Sequence, residues 1–325
     1  MGLTPRTAVS RFLVLAFLFL IPPYVAPAAP KPETKRIALS FDDVPRRPGA
    51  FLTPDQRTEG ILSGLAAANV KQVVFFVTTG NLEKPEGEGG VDRIMMYSGG
   101  GHLIANHSHA HRRLSEIPAE DYLKDVDRAS DWLRNRPGYR PWFRFPFLDE
   151  GRADKAKRDA VRAGLAKRGL ANGYVTVDGA DWNMEALTVA ASEAGKHMDM
   201  KALRELYVET MVGAADFYDG LARRTLGRSP AHVLLLHETD LAALFLPALV
   251  DALRKDGWEI VTPDEAYADP IARALPDTPS AQGTRTEALA WQKGLPAPRW
   301  YERENVKVAN ALFAERVLKE KPAAP

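Results

Sequence analysis

The sequence predicts an α/β fold, a (β/α) barrel of about seven strands followed by a C-terminal extension. Three observations lead there. Apolar strand-like runs alternate with helix-period patterns, the mark of βα units around a parallel sheet. About seven such units fit into roughly 230 residues, the size of one barrel rather than an open sheet. Five of the runs end in ionisable or polar side chains, and barrel active sites sit at the carboxyl ends of the strands.

Taken in chain order, the first element is a targeting segment. Arg6 and Arg11 precede no acid within residues 1–28, and an unbroken apolar run extends from Phe12 to Ile21. Pro22 and Pro23 end it, and Ala26-Pro27-Ala28 puts small residues at cleavage spacing. This is the tripartite form of a secretory signal peptide. Ten apolar residues fall short of the roughly twenty needed to cross a hydrocarbon core, so no stable membrane span is expected after cleavage. No cysteine follows the run, which excludes a lipoprotein anchor. The expected location is periplasmic or secreted.

Residues 31–35 read as a polar linker into the barrel, placed at 36–267. Strands are expected at 36–41, 72–78, 102–106, 142–145, 173–177, 233–237 and 258–261. Helices are expected near 54–68, 118–134, 154–168, 200–226 and 244–255. Pro118 followed by Glu120 and Asp121 suits a helix N-terminus, and Gly257 suits a helix end. Beyond Asp269, five prolines from Pro270 to Pro298 break the pattern, and one further helix is expected over 304–318. Residues 270–325 are therefore read as an extension. Its composition fits packing through Trp291, Trp300 and Tyr301 and a solvated tail equally well.

Composition narrows the function classes. The 325-residue chain is 45% hydrophobic with a formal net charge of +1. It can bury a full core, and it lacks the basic excess that neutralises nucleic-acid phosphates, so no nucleic-acid partner is expected. It contains no cysteine, which removes disulfides, thiolate metal sites and cysteine nucleophiles. Any metal must be held by histidine and carboxylate.

The strand ends supply those groups. The first runs into Ser40-Phe41-Asp42-Asp43. The third runs into Asn106-His107-Ser108-His109-Ala110-His111, holding three of the chain's seven histidines. His107 and His111 are four apart, so one turn can aim both imidazoles at one point. Two histidines and a carboxylate with a position left for water is a catalytic zinc arrangement. His109 then points elsewhere. The fourth strand carries Phe143-Arg144-Phe145-Pro146-Phe147, and a buried arginine there needs an anion. Asp178-Gly179-Ala180-Asp181-Trp182 follows the fifth strand, and Leu234-Leu235-Leu236-His237-Glu238 delivers a histidine at a later strand's end.

In this order the residues resemble the polysaccharide deacetylases of carbohydrate esterase family 4. Ser40-Phe41-Asp42-Asp43 is similar to the family's Thr/Ser-Phe-Asp-Asp motif, and His107 with His111 to His-(Ser/Thr)-x-x-His. Arg144-Phe145-Pro146-Phe147 is similar to Arg-x-Pro-aromatic, Asp178 to Trp182 to Asp-x-x-Asp-Trp, and Leu235-Leu236-His237 to Leu-x-His. The resemblance covers roughly residues 36–267. It implies a partly distorted barrel and a divalent metal, commonly Zn2+, held by Asp43, His107 and His111. It implies Asp42 as general base with Arg144 keeping it ionised, and His237 as general acid oriented by Asp181, with Asp178 the alternative partner. Phe147 would offer a backbone N–H to the oxyanion, and Trp182 and Leu235 would wall the acetyl pocket.

Departures border the groove. Val44-Pro45 stands where many members have Gly-Pro, Phe147-Leu148-Asp149-Glu150-Gly151 replaces an aromatic-Gly run, and Ala110 takes the place of a frequent hydroxyl residue. The expected reaction is removal of N-acetyl groups from an acetylated polysaccharide or oligosaccharide: peptidoglycan, chitooligosaccharide or an exopolysaccharide. The alternatives are a glycan-binding protein on an inactive deacetylase fold and an exported metal-dependent amidase or O-acetyl esterase. A pure binder has no use for both a base and an acid.

Overall fold

The structure is a computed structural model that describes residues 1–2 and 34–320. The expected signal peptide, apart from its first two residues, lies outside the described residues. Residues 34–320 form one compact unit.

Alternating β and α elements run along the chain as β1 (Lys35–Val44), α1 (Pro54–Ala67), β2 (Val74–Val77), α2 (Gly90–Gly99), β3 (Leu103–Asn106), α3 (Ala119–Leu133) and β4 (Tyr139–Phe143). Then come β5 (Asp149–Arg152), α4 (Lys155–Lys167), β6 (Ala171–Asn172), α5 (Asp181–Glu193), α6 (Met200–Leu226), β7 (Ala231–His237), α7 (Asp240–Lys255) and β8 (Trp258–Ile260). The chain ends with α8 (Pro263–Tyr267), β9 (Ala281–Gln282), α9 (Arg285–Gln292) and α10 (Val306–Arg316).

The main sheet has the order β6-β4-β3-β2-β1-β7, with β8 also on β1, and its pairings are parallel. β1 is the hub. One of its edges carries β7 from Arg36 to Asp42, and the other is shared by β8 at 35–37 and β2 from Ser40. Sharing that edge is what distorts the barrel. The sheet curls until Val177 bridges Leu234 of β7.

Strand parity separates two apolar layers. Ile37, Leu39 and Phe41 of β1, with Phe75, Val77, Leu234 and Leu236, pack outward against Ile61 and Leu65 of α1 and residues of α6 and α7. Each such buried side chain contributes roughly 1.5–3 kcal/mol of burial. The alternate residues Ala38, Val233 and Leu235 face inward with Tyr174 and Val175, and Val74, Phe76, Leu103 and Ala105 form a second inward group. Continuing that parity puts Asp42, His107 and His237 on the interior side at the carboxyl ends.

Several boundaries differ from expectation for identifiable reasons. β4 starts three residues early and stops at Phe143, so Arg144 and Phe145 lie beyond the strand, ahead of Pro146. The strand expected at 173–177 reduces to β6 and the single Val177 bridge. Gly173 lies so close to Phe76 that an added Cβ would sit 2.6 Å from its ring, and the chain crosses there from β4 to β7. α7 begins at Asp240 rather than 244, because the Thr239 side chain caps the Ala242 N–H. α2, α5, α8 and α9 arise where no helix was expected.

Residues 270–320 pack on the barrel. β9 pairs antiparallel with β5, α9 lies on α6, and α10 on α5 and α6. The N-terminus of α9 is tied to the barrel wall through Arg285 N–H to Val175 O at 2.8 Å and Thr286 Oγ1 to Thr176 O at 3.0 Å.

Candidate active site at the carboxyl ends of the strands

Adjacent residues of a regular strand face opposite ways, yet Asp42 and Asp43 reach the same site. The register of β1 against β2 shifts between Phe41 and Val44, and Asp43 adopts a left-handed φ of 67°. This bulge turns the second carboxylate onto the first one's side. Ser108, His111, Phe147, Leu148 and Ala180 are also left-handed, so strained backbone collects at the strand ends. Such strain persists only where surrounding contacts over-determine it. Here Asn106 Oδ1 accepts the Ser108 N–H at 2.7 Å, Ser108 Oγ accepts the His111 N–H at 2.9 Å, and Asp125 accepts the N–H groups of His109 and Ala110.

Asp42 is 2% exposed and Arg144 1% exposed. Arg144 Nη1 donates to Asp42 Oδ1 at 2.8 Å, and its Nη2 donates to Ser40 Oγ at 3.2 Å and Tyr267 Oη at 3.1 Å. Its Nε donates to Gly173 O, and its guanidinium lies 4.1 Å from the centre of the Phe76 ring. The buried charge pair is thus hydrogen-bonded on both sides, as a buried pair must be.

Asp43, His107 and His111 bring their ligand atoms within 4.8 Å of one another. His111 Nε2 is 2.9 Å, and His107 Nε2 3.5 Å, from Asp43 Oδ1. That oxygen is nevertheless buried without a hydrogen bond, so several lone pairs converge on one point. The Nδ1 of His107 lies 2.9 Å from Arg144 O, a carbonyl that can only accept. The Nδ1–H tautomer follows, leaving Nε2 free as a ligand. An orphaned carboxylate oxygen facing two imidazole nitrogens fits a divalent cation bound by nitrogen and oxygen donors. Burial opposes ionising Asp43, but contacts with His107 and His111 outweigh it and hold the carboxyl well below its usual range.

Across the cavity, both oxygens of Asp181 engage His237: Oδ1 lies 2.7 Å from Nδ1, and Oδ2 accepts the backbone N–H at 2.8 Å. Burial disfavours the imidazolium, yet the charge and hydrogen bond of Asp181, aided by Asp43, push His237 up to about 9. Asp178 instead accepts the Ala180 N–H at 2.7 Å, and burial pushes its carboxyl up to about 6. It makes no hydrogen bond with His237, so Asp181 is the hydrogen-bonded partner.

Phe147 and Trp182 are exposed, Leu235 is buried, and all three line a cavity of about 800 Å³ together with Asp42, Asp43, His107, His111 and His237. The Phe147 ring covers His111 at 4.6 Å and meets Arg113 at 3.7 Å. His109 turns away, its Nδ1 3.0 Å from Thr79 Oγ1. Sequence reasoning missed the supporting Asp125 and Tyr267, which carry no motif spacing, and gave Ser40 and Asn106 no role of their own. It also missed that the extension lines the same cavity through Gln282, Glu287, Trp291, Arg299, Trp300 and Glu304.

Residues 29–167 match the polysaccharide deacetylase family. The chain is 32% identical over 107 residues to a peptidoglycan-N-acetylglucosamine deacetylase of Bacillus cereus, a stretch covering 33% of this chain and 34% of the relative. The chain thus spans about a third of that curated relative. Among solved structures, the chitin deacetylase of Colletotrichum lindemuthianum is 20% identical with a TM-score of 0.49, covering 72% of this chain and 88% of that one. A family 4 carbohydrate esterase from Streptomyces lividans is 19% identical with a TM-score of 0.46, covering 71% and 95%. The matched residues 29–167 carry the Asp42-Asp43, His107/His111 and Arg144 motifs, so it is through the candidate site that the chain is similar to the polysaccharide deacetylase family.

Proposed function

We propose that this protein is an exported, metal-dependent N-deacetylase of a glycan containing N-acetylglucosamine. The observation that carries the reading is a base and an acid on opposite sides of one candidate metal site. Asp42 is held by Arg144 on one side and His237 by Asp181 on the other, around Asp43, His107 and His111. The name of the Bacillus cereus relative supports the choice of sugar. The apolar run at 12–21 supports export, and among the described residues no helix is long and apolar enough to cross a membrane.

Asp43, His107 and His111 would hold the cation, Zn2+ being the best match to a His-His-Asp set with an open position. When bound, such an ion polarises a carbonyl and makes water a stronger nucleophile at neutral pH. The remaining work falls to side chains. Asp42 takes a proton from water as it attacks the acetamide carbon, while Arg144 keeps the carboxylate placed and compensated. The Phe147 N–H offers a hydrogen bond to the developing oxyanion. His237 delivers its proton to the departing amine, and Asp181 fixes Nδ1–H so that Nε2 carries that proton. Trp182 and Leu235 give the acetyl methyl an apolar wall. Acetate and a free amino sugar result.

The test is acetate release from the N-acetylglucosamine tetramer, with O-acetylated xylan and acetamide alongside, in protein supplied with Zn2+. Release from the tetramer that disappears in Asp42→Asn at unchanged metal content supports the reading. Release from xylan alone makes the protein an O-acetyl esterase, and undiminished release by Asp42→Asn overturns the assignment of the base.

A further inference from the structure

Among the described residues four aromatic side chains are exposed: Phe147, Trp182, Trp291 and Trp300, at 36% to 45%. All four line the single 800 Å³ cavity that holds the candidate metal ligands. Indoles left open to water and gathered at one cavity mark a binding surface rather than incomplete packing. Phe147 lies just beyond the end of β4 and Trp182 in the first turn of α5, both belonging to the barrel. Trp291, in the last turn of α9, and Trp300 come from the extension.

The two extension indoles are held in place before any ligand arrives. α9 begins in a capping box between Thr284 and Glu287 and is bonded to Val175 and Thr176 of the barrel. The Arg299 guanidinium lies 4.8 Å from the Trp291 ring, and its Nη1 donates to Leu295 O. Next to Trp300, Tyr301 lies so close to Gly213 of α6 that an added Cβ there would be 2.4 Å from the phenol oxygen. The Tyr301 N–H and Tyr218 hydroxyl both donate to Glu304 Oε1. Preorganised aromatic walls bind at low entropic cost.

We infer that Trp291 and Trp300 form a sugar-stacking wall for a pyranose ring beyond the one whose acetyl group is removed, so that the extension selects oligomers over single sugars. Resting on the deacetylase reading for the identity of the reacting ring, this stacking stands on the cavity itself. Pockets that enclose whole ligands measure about 300–1,000 Å³, and 800 Å³ leaves room for more than one ring. The same cavity is lined by Gln282, Arg299 and Glu304, which suits a ligand with an apolar C–H face and a hydroxyl edge better than a lipid or an apolar peptide. Burial first, then Asp178 and Glu287, pushes Glu304 up to about 10. A neutral carboxyl donates as well as accepts, matching an uncharged sugar.

The experiment is calorimetric binding of N-acetylglucosamine and of its tetramer to the full chain carrying Asp42→Asn, so that neither probe is consumed. The tetramer should bind at least ten-fold more tightly than the monomer. Trp291→Ala and Trp300→Ala should each weaken tetramer binding about five- to ten-fold, the scale of one aromatic stack, and leave the monomer within about two-fold. Trp300→Phe should restore most of the loss, and Leu275→Ala, an exposed residue outside the cavity lining, should change nothing. Equal losses for monomer and tetramer, no loss for either indole, or a tetramer no tighter than the monomer would overturn the inference. Failure of the deacetylase reading shows separately, as a wild-type protein that binds the tetramer in this pattern and releases no acetate from it.

Discussion

Replacing Asp181 by Asn tests the proposed acid at its foundation. The side chain is fully buried and accepts two hydrogen bonds from His237. Asn keeps the shape, loses the charge, and can accept only one of the two bonds, since its amide nitrogen is a donor. Burial alone pulls His237 below its ordinary 6.5, and Asp181 is the largest influence lifting it to about 9. Each unit corresponds to about 1.4 kcal/mol, so the charge accounts for about 3 kcal/mol of preference for the protonated ring. With that preference gone, His237 titrates at or below about 6.5, and at pH 7.5 no more than roughly a tenth of the protein holds the proton it must deliver. The expected outcome is a greater than ten-fold loss of acetate release at pH 7.5 that shrinks as the pH falls. In a kcat/KM profile the alkaline limb moves from about 9 to 6.5 or below. The sign of the stability effect is also fixed. A raised folded-state value stabilises the wild type fully below about 6.5 and is lost as pH rises through about 9, so urea midpoints should fall over that window in the wild type and stay flat in the variant. An Asp181→Asn alkaline limb still near 9 would refute Asp181 as the group that holds the proton on His237.

Arg144→Met removes the buried partner of Asp42 and should cost about 3–5 kcal/mol of folding stability, read from denaturant midpoints, because the carboxylate is left uncompensated; a cost under 1 kcal/mol would mean that Asp42 does not depend on this ion pair. Chelation should abolish acetate release, and Zn2+ at about 100 times its Kd should restore it while adding about 2.7 kcal/mol of stability. In His111→Ala that thermal shift should vanish. Gly213→Ala pushes a methyl into the Tyr301 hydroxyl and should cost about 1–3 kcal/mol, with weaker tetramer binding in the same titration if Tyr301 seats the Trp300 wall.

The barrel was legible because its information is local and periodic. β1, α1, α3, α4, α6 and β7 fall within a few residues of expectation, each marked by an apolar run or by a cap such as Asp154 or Asp199. The site residues could be named from the strand ends, and the structure brings Asp42, Asp43, His107, His111, Arg144, Asp181 and His237 together. What stayed hidden depends on partners far along the chain. β5 and β9 are short segments of polar and small residues that exist through pairing with each other across more than a hundred positions. α5 is preceded by Asp178-Gly179-Ala180, which reads as a turn, and a Cβ at Gly179 would meet the end of the Met211 side chain at 2.6 Å. The extension's composition fitted packing and solvation equally. The pairing of β9 with β5, the packing of α9 and α10 on α5 and α6, and the hydrogen bonds of Arg285 and Thr286 to the barrel decide for packing.

The paired acids show how one backbone irregularity divides chemistry between neighbours. In a regular strand Asp42 would face the interior and Asp43 the helices, where a carboxylate would have to be desolvated against apolar side chains at a cost of several kcal/mol. The bulge and the left-handed turn at Asp43 avoid that cost and place two like charges in one cavity. Two carboxylates so close repel unless each has its own cation. Arg144 answers Asp42 from below, through a guanidinium anchored on Ser40, Tyr267 and Gly173. Asp43 meets Arg46 Nη1 at 3.3 Å through Oδ2 and keeps Oδ1 without a hydrogen bond among two imidazole nitrogens, where an ion from solution can answer it. On the proposed reading the carboxylate that Arg144 occupies would serve as the base, while Asp43 would be left as the ligand. Removing the charge of Arg144, rather than either acid, should therefore test this division, and Arg144→Met should alter metal affinity although the Arg144 side chain, as distinct from its backbone carbonyl beside His107 Nδ1, touches no candidate ligand.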